Sequence, residues 1–197
     1  MSIVDTESFA YFDVTLLSPQ SLPISVAVSS SMDRLAVLAI EQDQTLQLSY
    51  WEDGHQTLTR PLPLCCPKVA ASMSLEVSYD EKTLFVAGCD NMDIGDGRPL
   101  IAALSFDARL RQKTYIQLSD PNMKNVFRLK RLPGSREDIL LASGFKGISI
   151  VCYNSHMGVF QELKTLSGLH DGEIFDFCVW DGVIYSISRK DPYIHKY

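Results

Sequence analysis

What the chain has little of narrows it first. Its 197 residues carry 18 lysines and arginines against 24 aspartates and glutamates, a formal charge of −6. A broad basic face that would neutralise phosphates is missing, so direct nucleic-acid binding is not expected. No window approaches the roughly 18 apolar residues of a membrane span. The N-terminal MSIVDTESFAYFDV places acids where a secretory leader places Lys or Arg, so neither anchoring nor export is expected. Cysteines are few and odd in number: Cys65, Cys66, Cys89, Cys152 and Cys178. Three stand singly in apolar runs and the adjacent pair has no C-x-x-C spacing, which points to a reducing compartment, cytoplasm or nucleus. The four histidines, His55, His156, His170 and His195, lie in four separate stretches without H-x-H or H-x-x-x-H spacing. No zinc site, and no cofactor, is expected from them.

What is present is a strand pattern. Apolar runs of about five to seven residues, rich in Val, Ile, Leu, Phe and Tyr, are broken by Ser, Asp, Gly and Pro before a helical stripe develops. The pattern repeats. A strand closing on Leu17, Leu62, Leu118 or Leu166 is followed by a turn and a second strand, and then by the apolar arms RLAVLAI, TLFVAGC, ILLASG and VIYSIS. A fourth strand ends in an aromatic, and Tyr50, Phe106, Tyr153 and Tyr197 fall 56, 47 and 44 residues apart. Four strands per unit at a period of about 40 to 50 is the signature of β-propeller blades, whose small sheets bury their faces only by stacking. The expected fold is therefore all-β, one propeller domain over 1–197 with units at approximately 9–53, 54–109, 110–156 and 157–197.

The last unit, TLSGLHDGEIFDFCVWDGVIYSISRKDPYIHKY, resembles a WD40 repeat. His170, Ser186, Asp191 and Tyr197 match the family's turn His, strand hydroxyl, turn Asp and closing Trp. The resemblance implies that they form a structural hydrogen-bonded chain. Leu169 replaces the usual Gly, Lys190 is an extra residue, Pro192 follows Asp191, and Tyr stands for Trp. ILLASGFKGISIVCYN is similar to a WD40 central hairpin, whereas SLEVSYDEKTLFVAG is equally similar to the YVTN-type propellers that include lactonases. Four blades leave three arrangements open: a closed small ring, an arc completed by another chain, or an excerpt of a longer propeller. The strand over 9–17 is positioned to complete the last blade.

Catalytic chemistry finds little support. CDNMDIGDGRP has the composition of a calcium loop in Asp90, Asp93, Asp96, Gly95 and Gly97, but Met92 and Ile94 occupy ligand positions and no Glu stands at the twelfth. It reads as a lengthened turn. There is no G-x-S-x-G elbow and no phosphate loop. No catalytic residue and no metal ligand is assigned. Arg128 and Lys130 share one strand face opposite Leu129, as a solvated face or as a contact for an acidic partner. Arg189 and Lys190 resemble residues of the WD40 family's partner-binding loops. Trp51 follows Tyr50, so one of the two points away from the blade interior, to pack at the rim or to touch a partner; Trp180 covers a tight turn. The expected function is a non-enzymatic scaffold or adaptor with protein partners. The alternative is a small lactonase-like propeller enzyme with a divalent cation at the Asp90–Asp96 turn.

Overall fold

The computed structural model describes residues 2–4, 11–13, 21–43, 45–62, 73–90 and 97–197, the first two stretches as backbone alone. Strands β1 (Ser2–Val4) and β2 (Tyr11–Asp13) pair with each other. Four antiparallel sheets follow in chain order. Sheet I comprises β3 (Leu22–Val28), β4 (Arg34–Ile40), β5 (Leu46–Glu52) and β6 (His55–Pro61). Sheet II holds β7 (Ser74–Val77), β8 (Thr83–Cys89), β9 (Pro99–Ser105) and β10 (Gln112–Gln117). Sheet III holds β11 (Arg128–Arg131), β12 (Asp138–Ser143), β13 (Gly147–Asn154) and β14 (Val159–Ser167). Sheet IV has three strands, β15 (Ile174–Trp180), β16 (Val183–Ser188) and β17 (Ile194–Lys196). Among the described residues the only helical element is the 3₁₀ turn Pro121–Met123.

Turn chemistry sets the hairpins. Asp53 and Gly54 join β5 to β6, and Asp181 and Gly182 join β15 to β16, all four with positive φ (50°, 76°, 50° and 73°). Two left-handed residues in succession twist with the flanking strands, and glycine takes the second place without a Cβ penalty. The first hairpins of sheets I and II share another device. The Ser29 and Ser78 hydroxyls accept from the Arg34 and Thr83 amides at 3.0 and 2.9 Å. The same hydroxyls donate to Asp33 and Asp80 at 2.7 and 2.8 Å.

Period-two alternation then sorts each sheet into a forward face, towards the next sheet in the chain, and a backward face. Ala36, Leu38, Leu48 and Tyr50 of sheet I bury against Leu75, Leu84, Val86, Leu104 and Phe106 of sheet II. The forward residues Phe85, Ala87, Ile101 and Ala103 of sheet II meet Leu129, Leu140, Val151 and Tyr153 of sheet III. Leu141 and Ile148 of sheet III meet Ile174, Phe177 and Ile184 of sheet IV. The periodic aromatics lock two of these junctions. Tyr50 and Phe106 pack edge to face at 5.6 Å between ring centroids, and Tyr153 packs on Phe85 at 5.2 Å. Such pairs add about 1 kcal/mol beyond their buried area.

The innermost strands meet in succession, β3 with β7, β7 with β11 and β11 with β15, and among the described residues β15 is not seated on β3. The sheets make an open arc, so a closed four-blade ring is not what forms. Sheets II and III stay in contact out to their outer strands, β10 against β14. The sequence units begin one strand before the sheets do: β6, β10 and β14, which open the units at 54, 110 and 157, are the outer strands of the preceding sheets. Of the strand expected to complete the last blade, Tyr11–Asp13 pairs with Ser2–Val4; Leu17 lies outside the described residues.

Candidate interaction site on the inner strands and the last sheet

Polar residues of the inner strands reach the neighbouring sheet. The Leu75 amide donates to Ser25 Oγ at 3.0 Å, joining sheet II to sheet I. Glu76 accepts the Arg131 amide at 3.2 Å, joining sheets II and III, and Arg131 Cζ lies 5.5 Å over the Tyr79 ring. Burial pushes the Glu76 carboxyl up, against the pull of the Arg131 and Val77 amides. Further out, Arg34 forms a 2.8 Å ion pair with Glu81 and lies over the Phe106 ring. The Tyr79 amide donates to Asp138 at 2.6 Å. None of these bridges was legible as a motif, because they join residues 47 to 72 positions apart that share no local pattern.

Arg128 and Lys130, the pair expected on a solvated face or at a partner, are turned to sheet IV. Lys130 Nζ lies 2.8 Å from Asp176 Oδ1, donates to the Phe177 carbonyl, and sits 5.2 Å over the Phe177 ring. Arg128 Nε is 3.8 Å from the same carboxylate. Burial raises the Asp176 pKa, but the bonds from Lys130 and the Phe177 amide outweigh it and hold the carboxyl below its usual value. The pair therefore bridges two sheets of its own chain. Leu129, on the opposite strand face, is 2% exposed.

The four residues matched to the WD40 repeat lie together at the end of sheet IV. Main-chain bonds hold the connection that carries His170: Leu169 N to Lys146 O at 3.0 Å, Lys146 N to Gly172 O at 3.0 Å, and Ile174 N to Gly144 O at 3.0 Å. His170 is buried, with Nδ1 at 2.5 Å from Asp191 Oδ2 and Nε2 at 2.8 Å from Ser186 Oγ. A carboxylate only accepts, so Nδ1 donates to Asp191, and Nε2 shares the second hydrogen bond with the Ser186 hydroxyl. The His170 hydrogen bond holds the Asp191 carboxyl below its usual value. Tyr197 joins through its hydroxyl, which donates to the Leu169 carbonyl at 2.8 Å. The His195 ring lies beside it, tilted 53° to the His170 ring at 4.2 Å between centroids. Ligand atoms of His170, Asp191 and His195 thus lie within 4.8 Å of one another, a convergence that separate histidine stretches did not foretell. Asp191 engages His170 Nδ1 and Ser186 engages Nε2.

The remaining candidates separate by exposure. Arg189 is open to solvent, 4.7 Å over the Phe175 ring and 3.8 Å from Glu173. Lys190 is also exposed, its stem lying across Gly172, where an added Cβ would stand 2.7 Å from Lys190 Cδ. Trp51 is only 5% exposed and packs with Leu35, Val37 and Val28 on the backward face of sheet I; it is not an open contact residue. Trp180, expected to cover its turn, is 74% exposed. Asp90 Oδ1 accepts the Arg98 amide at 2.7 Å and Oδ2 accepts Gln117 Nε2 of β10 at 2.9 Å. Asp93, Gly95 and Asp96 lie outside the described residues.

No protein-family model matches the chain, and no curated protein matches it. Solved structures do. The chain superposes with a TM-score of 0.59 and 10% identity on Sqt1 of Saccharomyces cerevisiae, over 85% of this chain and 43% of that one. On the WD40 domain of a Toxoplasma gondii coronin the TM-score is 0.61 at 12% identity, over 99% of this chain and 49% of that one. The chain folds as a WD40-like β-propeller. A 6-phosphogluconolactonase-like protein from Bacteroides uniformis superposes at a TM-score of 0.65 and 14% identity, over 100% of this chain and 59% of that one. At these identities the likeness is one of fold. The propeller arc spans about half the length of the solved structures it matches.

Proposed function

We propose that this propeller arc is a non-enzymatic scaffold or adaptor, held in the cytoplasm or nucleus, that binds other proteins within an assembly. The observation that carries the reading is the last sheet, where Trp180, Ile187 and Ile194 are 74%, 43% and 72% exposed on a face that the preceding sheets bury. Contiguous exposed apolar surface of this kind marks an interaction site. The inner strands support the same reading, since Glu76, Lys130 and Asp176 are each held by a neighbouring strand and do not converge on one point as catalytic groups must.

A small lactonase-like enzyme is the second reading, favoured by the superposition over the whole chain at a TM-score of 0.65. Two measurements on one preparation separate them. Affinity capture of the tagged chain is expected to recover a stable protein partner, and incubation with δ-lactones and calcium or magnesium is expected to release acid no faster than buffer. Lactone turnover without a partner would reverse the order of the two readings.

A further inference from the structure

One imidazole at the end of sheet IV stands outside the hydrogen-bonded chain beside it. His170, Ser186, Asp191 and Tyr197 each give or take a bond of that chain. The His195 ring lies 4.2 Å from the His170 ring and 6.1 Å from the Tyr197 ring, and among the described residues its nitrogens make no hydrogen bond. Strand pairing fixes its place. β17 sets His195 directly opposite Ser186, and opposite residues of an antiparallel pair share a face. Ser186 meets His170 on that face, so the ladder itself turns the second imidazole towards the first.

Asp191 completes the group. One ligand atom from each of His170, Asp191 and His195 lies within 4.8 Å of the other two. The three side chains come from the connection before β15, the turn before β17 and β17 itself. Asp191 Oδ2 accepts from His170 Nδ1 and, at 3.3 Å, from the Asp171 amide; Oδ1 takes no hydrogen bond among the described residues. His170 is buried, while Asp191 and His195 are half-buried and open to water. Two imidazole nitrogens with one carboxylate oxygen make a donor set that suits zinc, whereas calcium and magnesium select oxygen donors. Ligand atoms about 2.0–2.2 Å from a zinc ion stand roughly 3.3 Å apart, so closing this group on an ion takes side-chain shifts on the order of 1 Å.

We propose that His170 Nδ1, Asp191 and His195 bind one zinc ion, with water in the fourth position. Nδ1 is the nitrogen on the Asp191 side, and Nε2 is turned to Ser186. The ion takes the place of the proton between Nδ1 and the carboxylate. That proton is released to solvent, and the ring carries its one remaining proton on Nε2, donating to Ser186 Oγ. Ser186 thereby fixes the tautomer, as outer partners of metal-bound imidazoles do. The ion ties the connection before β15 to the last strand of sheet IV. Such a clamp serves a scaffold and an enzyme alike.

The test titrates zinc into the full chain after a chelator has cleared it of metal. One equivalent is expected to bind with micromolar affinity or better, and cobalt in its place should show the visible absorption of a tetrahedral site. His195→Phe keeps an aromatic ring and removes a ligand, and should weaken zinc binding about a hundredfold; Ser186→Ala, which removes an outer partner, should weaken it about tenfold. His156→Ala, at an exposed position, should leave it unchanged. Zinc should also raise the thermal midpoint of the parent chain and leave that of His195→Phe where it is, and circular dichroism confirms that both are folded without metal. No zinc bound at micromolar concentration would overturn the proposal. So would binding that His195→Phe does not move, which would assign the metal to other ligands such as the exposed Cys178.

Discussion

The two tryptophans sit in nearly the same sequence setting and in opposite physical ones. Trp51 precedes Glu52-Asp53-Gly54 and Trp180 precedes Asp181-Gly182, each at the end of a strand entering a two-residue turn. Trp51 is 5% exposed and Trp180 is 74% exposed. Trp51 lies on β5, the third strand of its sheet, on a face where Leu35 and Val37 of the adjacent strand pack against it. Trp180 ends β15, the innermost strand of the last sheet, on the forward face that no described residue covers. Local pattern fixes which residues share a face; whether anything covers that face is a property of the arc's ends. One end is held by apolar burial, the other by a polar network around His170.

The largest expected effect breaks this comparison directly. Trp51→Ala removes a buried indole and is expected to lower unfolding free energy by about 3–5 kcal/mol, while Trp180→Ala changes it by less than about 0.5 kcal/mol; urea denaturation of the two variants measures both. Equal losses would mean that the ends of the arc are not differently covered. His170→Ala comes next. It leaves the Ser186 hydroxyl and Asp191 carboxylate without their shared partner, at an expected cost of about 2 kcal/mol. Hydrogen exchange should show the loss as faster opening of β16 and β17, with sheets I and II unchanged.

Strand runs, turns and the four-strand period were legible because each is written in neighbouring residues: alternation in RLAVLAI and TLFVAGC, Asp-Gly at 53–54 and 181–182. The His170, Ser186 and Asp191 cluster was legible through resemblance to a repeat whose residue types survive here, although Lys190 adds one residue before Asp191. The junctions were not. Arg128 and Lys130 read as a solvated face because their partner, Asp176, lies 46 positions beyond Lys130. Arg34 and Glu81, 47 residues apart, give no sign in sequence that they meet. For the same reason the sequence left Trp51 between rim packing and partner contact and placed Trp180 over its turn, since a strand's alternation is identical whether its face meets a neighbour or solvent.

The smallest effect sharpens the contrast between the middle of the arc and its end through acid titration. Asp191 is held below its usual carboxyl range by the His170 hydrogen bond, so the folded state favours its ionised form. That stabilisation is present above the unfolded value near pH 4 and is lost as pH falls through the lower folded value. Glu76 is raised by burial, so the folded state favours its protonated form, and its contribution fades as pH rises from the unfolded value through the folded one. Stability measured against pH for Asp191→Asn and Glu76→Gln should therefore differ from the parent chain with opposite slopes. The advantage of the parent over Asp191→Asn grows with rising pH, and its advantage over Glu76→Gln shrinks. Parallel slopes would show that the junction carboxylate between sheets II and III is no more disfavoured as an anion than the one that closes the last turn.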